Sequence, residues 1–164
     1  MRKTGVLITR LAMAAAVILL VALDQTVKNW ARIYLLPVGT LPILDGFIGF
    51  RYATNAGAAF GIFQGGRWFF LVATLLVFAV LLYYEFKTPH NKQNLWVRIP
   101  MVLIFAGGLG NFVDRLLVGY VVDMFEFLFM NFAIFNVADI LLVTGTIAYA
   151  FVTIFILKDK PEIG

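Results

Sequence analysis

Four long apolar stretches dictate what this chain can become. They run from about Gly5 to Leu23, Trp68 to Phe86, Leu95 to Phe112 and Phe135 to Leu157, each near the ~20 residues a helix needs to cross a bilayer core. Within hydrocarbon the backbone must satisfy its own hydrogen bonds, and a helix does so unaided. An all-α membrane protein of four transmembrane helices is therefore predicted. Composition agrees, since 62% of the 164 residues are hydrophobic and 13% charged, against about 45 to 50% and 25% in soluble domains. Seventeen Phe, six Tyr and three Trp exclude a disordered chain.

The first stretch follows Arg2 and Lys3, as the core of a secretory signal would. Its run exceeds the usual ~7 to 15 residues, and its small residues, Ala12 to Ala16, lie within the run rather than after it. It is expected to remain as an anchor. The third stretch carries Arg98 and Pro100 near its start, which predicts a first turn in the headgroups with the arginine reaching outward.

Orientation follows from lysine and arginine, which favour the cytoplasmic side. With the N-terminus inside, Arg2, Lys3, Arg10, Lys87, Lys92, Arg98, Lys158 and Lys160 fall inside in short flanks. Lys28, Arg32, Arg51, Arg67 and Arg115 fall outside over much longer sequence. Both termini are expected in the cytoplasm.

The first outer segment, Asp24 to Arg67, should begin by continuing the helix and then form a small β-rich subdomain on the membrane. Strands are expected at Leu41 to Leu44, Phe47 to Tyr52 and Ala58 to Phe63, separated by Asp45-Gly46 and Gly57. The second outer segment, residues 113–136, reads as a loop with a turn at Gly119-Tyr120 just before Asp123.

A net charge of +4 does not make a nucleic-acid surface here, because the cations stand singly or in pairs at the ends of apolar runs. With no cysteine there is neither a disulfide nor a thiolate nucleophile. The one histidine, His90, lies beside Pro89 in a polar stretch, which leaves no credible base for a serine triad and no zinc site. No metal or cofactor is expected.

What remains is carboxylate chemistry. Asp24, then Asn111, Asp114 and Arg115, then Asn136 and Asp139 all fall toward the outer ends of their helices. Asn111 and Asp114, like Asn136 and Asp139, are three apart and share a helix face. Taken singly, each has an ordinary structural explanation, as an N-cap or an interfacial ion pair. Asp139 resists that explanation, since it sits in the apolar run FNVADILLV, where an ionised carboxylate needs a partner or a proton. Asp123 lies just upstream. Two carboxyls in a poorly hydrated site share one proton and divide into acid and base, an arrangement that hydrolyses amides.

Four segments in order, DQTVK at Asp24 to Lys28, TNAGAAFG at Thr54 to Gly61, GNFVDRLLVGYVVD at Gly110 to Asp123 and FNVAD at Phe135 to Asp139, resemble the lipoprotein signal peptidase (signal peptidase II) family. The resemblance implies a bacterial cytoplasmic-membrane aspartyl endopeptidase with its site near the extracytoplasmic face. It implies that Asp123 and Asp139 are the catalytic pair, and that Asp24, Lys28, Asn55, Gly57, Asn111, Asp114, Arg115 and Asn136 orient the pair or contact substrate. The implied partners are membrane lipid and diacylglyceryl-modified prolipoproteins, cut just before the lipidated cysteine by an enzyme working as a monomer. Two departures stand beside the pair, Ile140 where many relatives have serine and Met124 where isoleucine or phenylalanine is usual.

A small transporter or channel subunit is the main competing reading, but its polar residues should gather near mid-bilayer. A nonenzymatic assembly factor, binding a partner through its aromatic outer surface, is the other.

Overall fold

The computed structural model describes residues 3–58, 62–91 and 94–157. Among them are four helices long and apolar enough to cross a membrane: α1 (Lys3–Trp30), α2 (Arg67–Lys87), α3 (Leu95–Leu117) and α4 (Val137–Phe151). Their outward faces are apolar and exposed, as at Ile18, Leu19, Leu76 and Ile147, an arrangement suited to lipid rather than water. α1 extends through a π-helical turn at Ala31–Leu35. The resulting 33 residues rise about 50 Å at 1.5 Å each, well beyond a ~30 Å hydrocarbon core. The expected continuation of the first helix is thus present, and Asp24 lies inside it rather than at its end. α4 likewise ends in a π-helical turn, Val152–Ile156.

α3 is the central helix, packing against each of the other three and most closely against α4. Gly107 makes that approach possible, because a Cβ there would overlap the Ala138 carbonyl and Leu142 of α4. Small residues let membrane helices close on one another where no hydrophobic effect drives them together.

At one end of the bundle sits a three-stranded antiparallel sheet ordered β1 (Thr40–Leu44), β2 (Ile48–Asn55) and β3 (Val121–Phe127). β1 and β2 form the expected hairpin across Asp45-Gly46, with Thr40 opposite Arg51 and Leu44 opposite Ile48. Pro42 lies on the edge strand β1, where its missing N–H costs least. The sheet closes onto the extended α1 through a core of Ala31, Leu35, Val122 and Met124, flanked by Trp30, Phe50 and Tyr52.

Three expectations need correction. Asp123 is not in a loop: VVDMFEF forms β3, because β2 offers it a partner, Ala53 pairing with Asp123 and Asn55 with Val121. No strand forms in the described part of Ala58 to Phe63, where Ala58 is a bend and Ile62 and Phe63 lie in a turn; Ala59 to Gly61, the end of the TNAGAAFG segment, lie outside the described residues. Arg98 does not reach outward either. It is 1% exposed, bound through Nε to Glu85 at 2.9 Å and through Nη2 to the Thr88 carbonyl at 2.7 Å. Thr88 and Pro89, just past the end of α2, offer it carbonyls in place of headgroup water. Of the cations assigned inside, Arg2, Lys92, Lys158 and Lys160 also lie outside the described residues.

Candidate active site

The expected site residues converge where the sheet meets the ends of α1, α3 and α4. The start of α4 sets the geometry. Asn136 is its N-cap: its Oδ1 accepts from the Asp139 backbone N–H at 2.9 Å, while Asp139 Oδ2 accepts from the Asn136 N–H at 3.1 Å. This reciprocal capping box satisfies two helix-end donors and fixes Asp139 in the first turn. The structural explanation for an Asn at a helix start is therefore correct for Asn136, yet incomplete. Its Nδ2 also donates to Asp123 Oδ1 at 2.6 Å and to Asn111 Oδ1 at 3.2 Å, so one side chain caps the helix and bridges to the carboxyl on β3.

Asn111 completes the bridge. Its Oδ1 accepts from Lys28 Nζ at 2.9 Å as well as from Asn136, and its Nδ2 donates to Asp139 Oδ1 at 2.7 Å. Lysine has only donors, so Lys28 determines which way the Asn111 amide faces and hence that Asp139 receives an N–H. Asp123 and Asp139 line one cleft of about 610 Å³ together with Asn55, Gly57, Asn111 and Arg115. Burial, and after it the charge of Asp139, pushes the Asp123 carboxyl up to about 7, against the opposing pull of hydrogen bonds from Asn136 and Asn55.

Behind this pair lies a fully buried ion cluster. Lys28 Nζ lies 2.9 Å from Asp24 Oδ2 and 3.1 Å from Asp114 Oδ2. Asp24 Oδ1 accepts from the Ala138 N–H at 2.9 Å and so ties the head of α4 to α1. Gly110 permits this, since a Cβ there would stand 2.5 Å from Asp24 Oδ2. Asp114 accepts from the Val122 N–H at 3.2 Å, which anchors the start of β3. Asp114 and Arg115 do not pair with each other. Arg115 donates to the Gly57 carbonyl at 2.9 Å and lies over the Phe70 ring, while Asn55 Oδ1 accepts from the Gly57 N–H at 2.9 Å. Segment 55–57 is thereby held against the cleft.

Two contributors were missed. The sequence marks Arg32 only as an outer cation, yet its Nη2 is 3.3 Å from Asp114 Oδ1; its spacing of four and eight residues from Lys28 and Asp24 is the available signal. Gln25, inside DQTVK, donates to Asp24 Oδ2 and to the Gly110 carbonyl. The two departures also separate. Ile140 lines the cleft, whereas Met124 is wholly buried in the core beneath the sheet. Among the described residues, no group of three or more His, Asp or Glu is placed to hold a metal ion.

Residues 16–155 match the family model described as Signal peptidase (SPase) II. The chain belongs to the signal peptidase II family. Among the curated relatives of this signal peptidase II chain is the lipoprotein signal peptidase of Streptococcus pyogenes serotype M2 (strain MGAS10270), 46% identical over 132 residues that cover 80% of this chain and 86% of the relative. The protein of the same name from serotype M5 (strain Manfredo) is 45% identical over the same shares. Two solved bacterial membrane enzymes share the signal peptidase II architecture seen here. One superposes with a TM-score of 0.79 at 28% identity, covering 92% of each chain. The other gives 0.75 at 31% identity, covering 91% of this chain and 94% of its own. With its four apolar helices, this is a multi-pass membrane protein.

Proposed function

We propose that this chain removes the signal peptides of diacylglyceryl-modified prolipoproteins, with Asp123 and Asp139 hydrolysing the bond just before the lipidated cysteine. One observation carries the reading: two carboxyls line one cleft, linked through Asn111 and Asn136, with Asp123 pushed up to about 7. Near neutral pH such a pair holds one proton between its members. The ionised aspartate takes a proton from water as the water attacks the scissile carbonyl. The protonated one hydrogen-bonds the carbonyl oxygen and then supplies the proton that the departing amine requires. The products are the carboxyl end of the signal peptide and the free amine of the cysteine.

The rest of the site supports this assignment. Asp24, Lys28, Asn111, Asp114 and Asn136 hold the two carboxyls in place, and Arg115, Asn55 and Gly57 form the cleft wall available to substrate backbone. The cleft continues between α2, α3 and α4 past Thr74, Gly108, Leu142 and Val143, an apolar depth suited to lipid tails. The unpaired edge of β1, all of whose residues are exposed, suits the addition of an extended signal peptide as a further strand. The excess of lysine and arginine at the opposite end supports cytoplasmic termini with the dyad near the extracytoplasmic face, and the cleft needs only one copy of the chain. The same polar residues gather at one end of the bundle rather than at mid-bilayer, which disfavours a permeation path.

The test is to incubate the purified chain with a diacylglyceryl-modified precursor beside Asp123→Asn and Asp139→Asn variants. Both variants should fold and leave the precursor intact. Normal cleavage by either removes that aspartate from the mechanism, and equally fast cutting of an unlipidated precursor defeats the assignment of lipid recognition.

A further inference from the structure

At the end of the bundle away from the dyad, a second polar cluster adjoins an apolar groove. α1 and α2 each pack on α3 but scarcely meet. Between them α3 forms the floor of a groove of about 390 Å³, walled by Met13, Val17, Leu81, Met101 and Phe105, with Arg10 and Glu85 at its mouth.

The charges at that mouth do not cancel. Glu85 is bound by Arg98 at 2.9 Å, and Arg98 is further engaged by the Thr88 and Pro89 carbonyls. His90 Nε2 lies 3.1 Å from Glu85 Oε1, but burial and the neighbouring Arg98 hold the imidazole below its usual pKa, so it adds no charge at neutral pH. Arg10 is left over. Its Nε stands 3.5 Å from Glu85 Oε1 and makes no hydrogen bond although buried. Its guanidinium lies 4.7 Å over the Phe86 ring, and its side chain is 39% exposed. The mouth therefore presents two arginines against one glutamate, with Lys87 closing α2 beside it.

We propose that this groove holds one acyl chain of an anionic phospholipid whose phosphate is bound by Arg10. Guanidinium matches phosphate in a two-pronged, charge-assisted geometry, and Arg10 still has donors to give. Arg10 stands seven residues into α1, about 10 Å along its axis, a depth from which an arginine reaches the headgroup level. An extended acyl chain fits a slot of this volume, whereas a helix 10–12 Å across would ride over it. The inference is independent of the catalytic reading, because none of these residues touches the dyad cleft.

The test uses the purified full chain in detergent, offered phosphatidylglycerol and phosphate-free diacylglycerol of matched tails and read by native mass spectrometry. Phosphatidylglycerol should be retained at least about fivefold better, the value of one basic residue near an anionic surface. Arg10→Gln should abolish that preference. Val17→Trp should reduce retention of both lipids by filling the groove; Ala14→Leu, a smaller intrusion at the same wall, serves if the tryptophan variant does not fold. Equal retention of the two lipids, or a preference that survives Arg10→Gln, overturns the proposal. Displacement of the lipid by inorganic phosphate would deny the acyl chain its part. A dimer lost on filling the groove would assign the slot to a second copy instead.

Discussion

The two ends of this bundle solve the same problem with opposite imbalance. Each buries ionised groups, which is costly unless they are paired. At the dyad end, Asp24, Asp114, Asp123 and Asp139 share Lys28, Arg32 and Arg115; at the other, Glu85 is shared by Arg98 and Arg10. Acid is in excess where chemistry is proposed, and base where the bundle meets headgroups. The fully paired members, Lys28 and Arg98, hold helices and loops together. The surplus members, Asp123 and Arg10, are free to act on something else.

That contrast breaks first on activity. Replacing either dyad aspartate by asparagine should cost about 10²- to 10⁴-fold in turnover of lipidated precursor, while Arg98→Met should leave turnover per folded molecule unchanged. A comparable loss in Arg98→Met would show that the two ends are not separable. Stability orders the paired residues next. Lys28→Met leaves buried Asp24 with no cation and buried Asp114 with only the partly exposed Arg32, and should lower unfolding free energy by about 3 to 5 kcal/mol, read from denaturant or thermal unfolding in detergent. Arg98→Met strands only Glu85, which keeps a partly exposed Arg10 nearby, so its loss should be the smaller of the two.

The surplus acid makes a further prediction, about pH. Asp123 has a folded pKa of about 7, above its ordinary 3.8, so the folded state binds more protons than the unfolded between those values. Its contribution to stability is fully present below about pH 4 and is lost as pH rises through about 7. Asp123→Asn should accordingly raise the melting temperature at pH 8, with the gain shrinking toward pH 4; a pH-independent difference would contradict the burial described for this carboxyl. Cleavage should fall above about pH 7 as the shared proton leaves. The smallest effect belongs to Ile140→Ser. It alters the cleft wall without touching a hydrogen bond, and kcat/KM should change by less than about tenfold, within what a small change in a pocket's apolar surface is worth.

Much of this was legible in the sequence because lipid leaves the backbone few options. Four apolar runs forced four helices, and the positions of Asp24, Asn111, Asp114, Asn136 and Asp139 along those runs already put them at one end. The strand at Asp123 was hidden, because an outer segment of mixed aromatic and acidic residues becomes β3 only when β2 lies alongside. The burial of Arg98 was hidden for a similar reason: its acceptors are carbonyls of Thr88 and Pro89, which no residue pattern advertises. Met124 and Ile140 looked alike as neighbours of the dyad, and only the side of the strand or helix each occupies separates core from cleft.

Asn136 carries a consequence for how such a protein is made. The bond that starts α4 and the bond that steadies Asp123 come from one amide, and every other element of the site precedes α4 in the chain. A nascent copy still emerging into the bilayer, with three helices in place, therefore holds half a pair and nothing to align it. Under the mechanism proposed above, such a copy is latent without any inhibitor, because forming the first turn of the last helix and aligning the two carboxyls are one event.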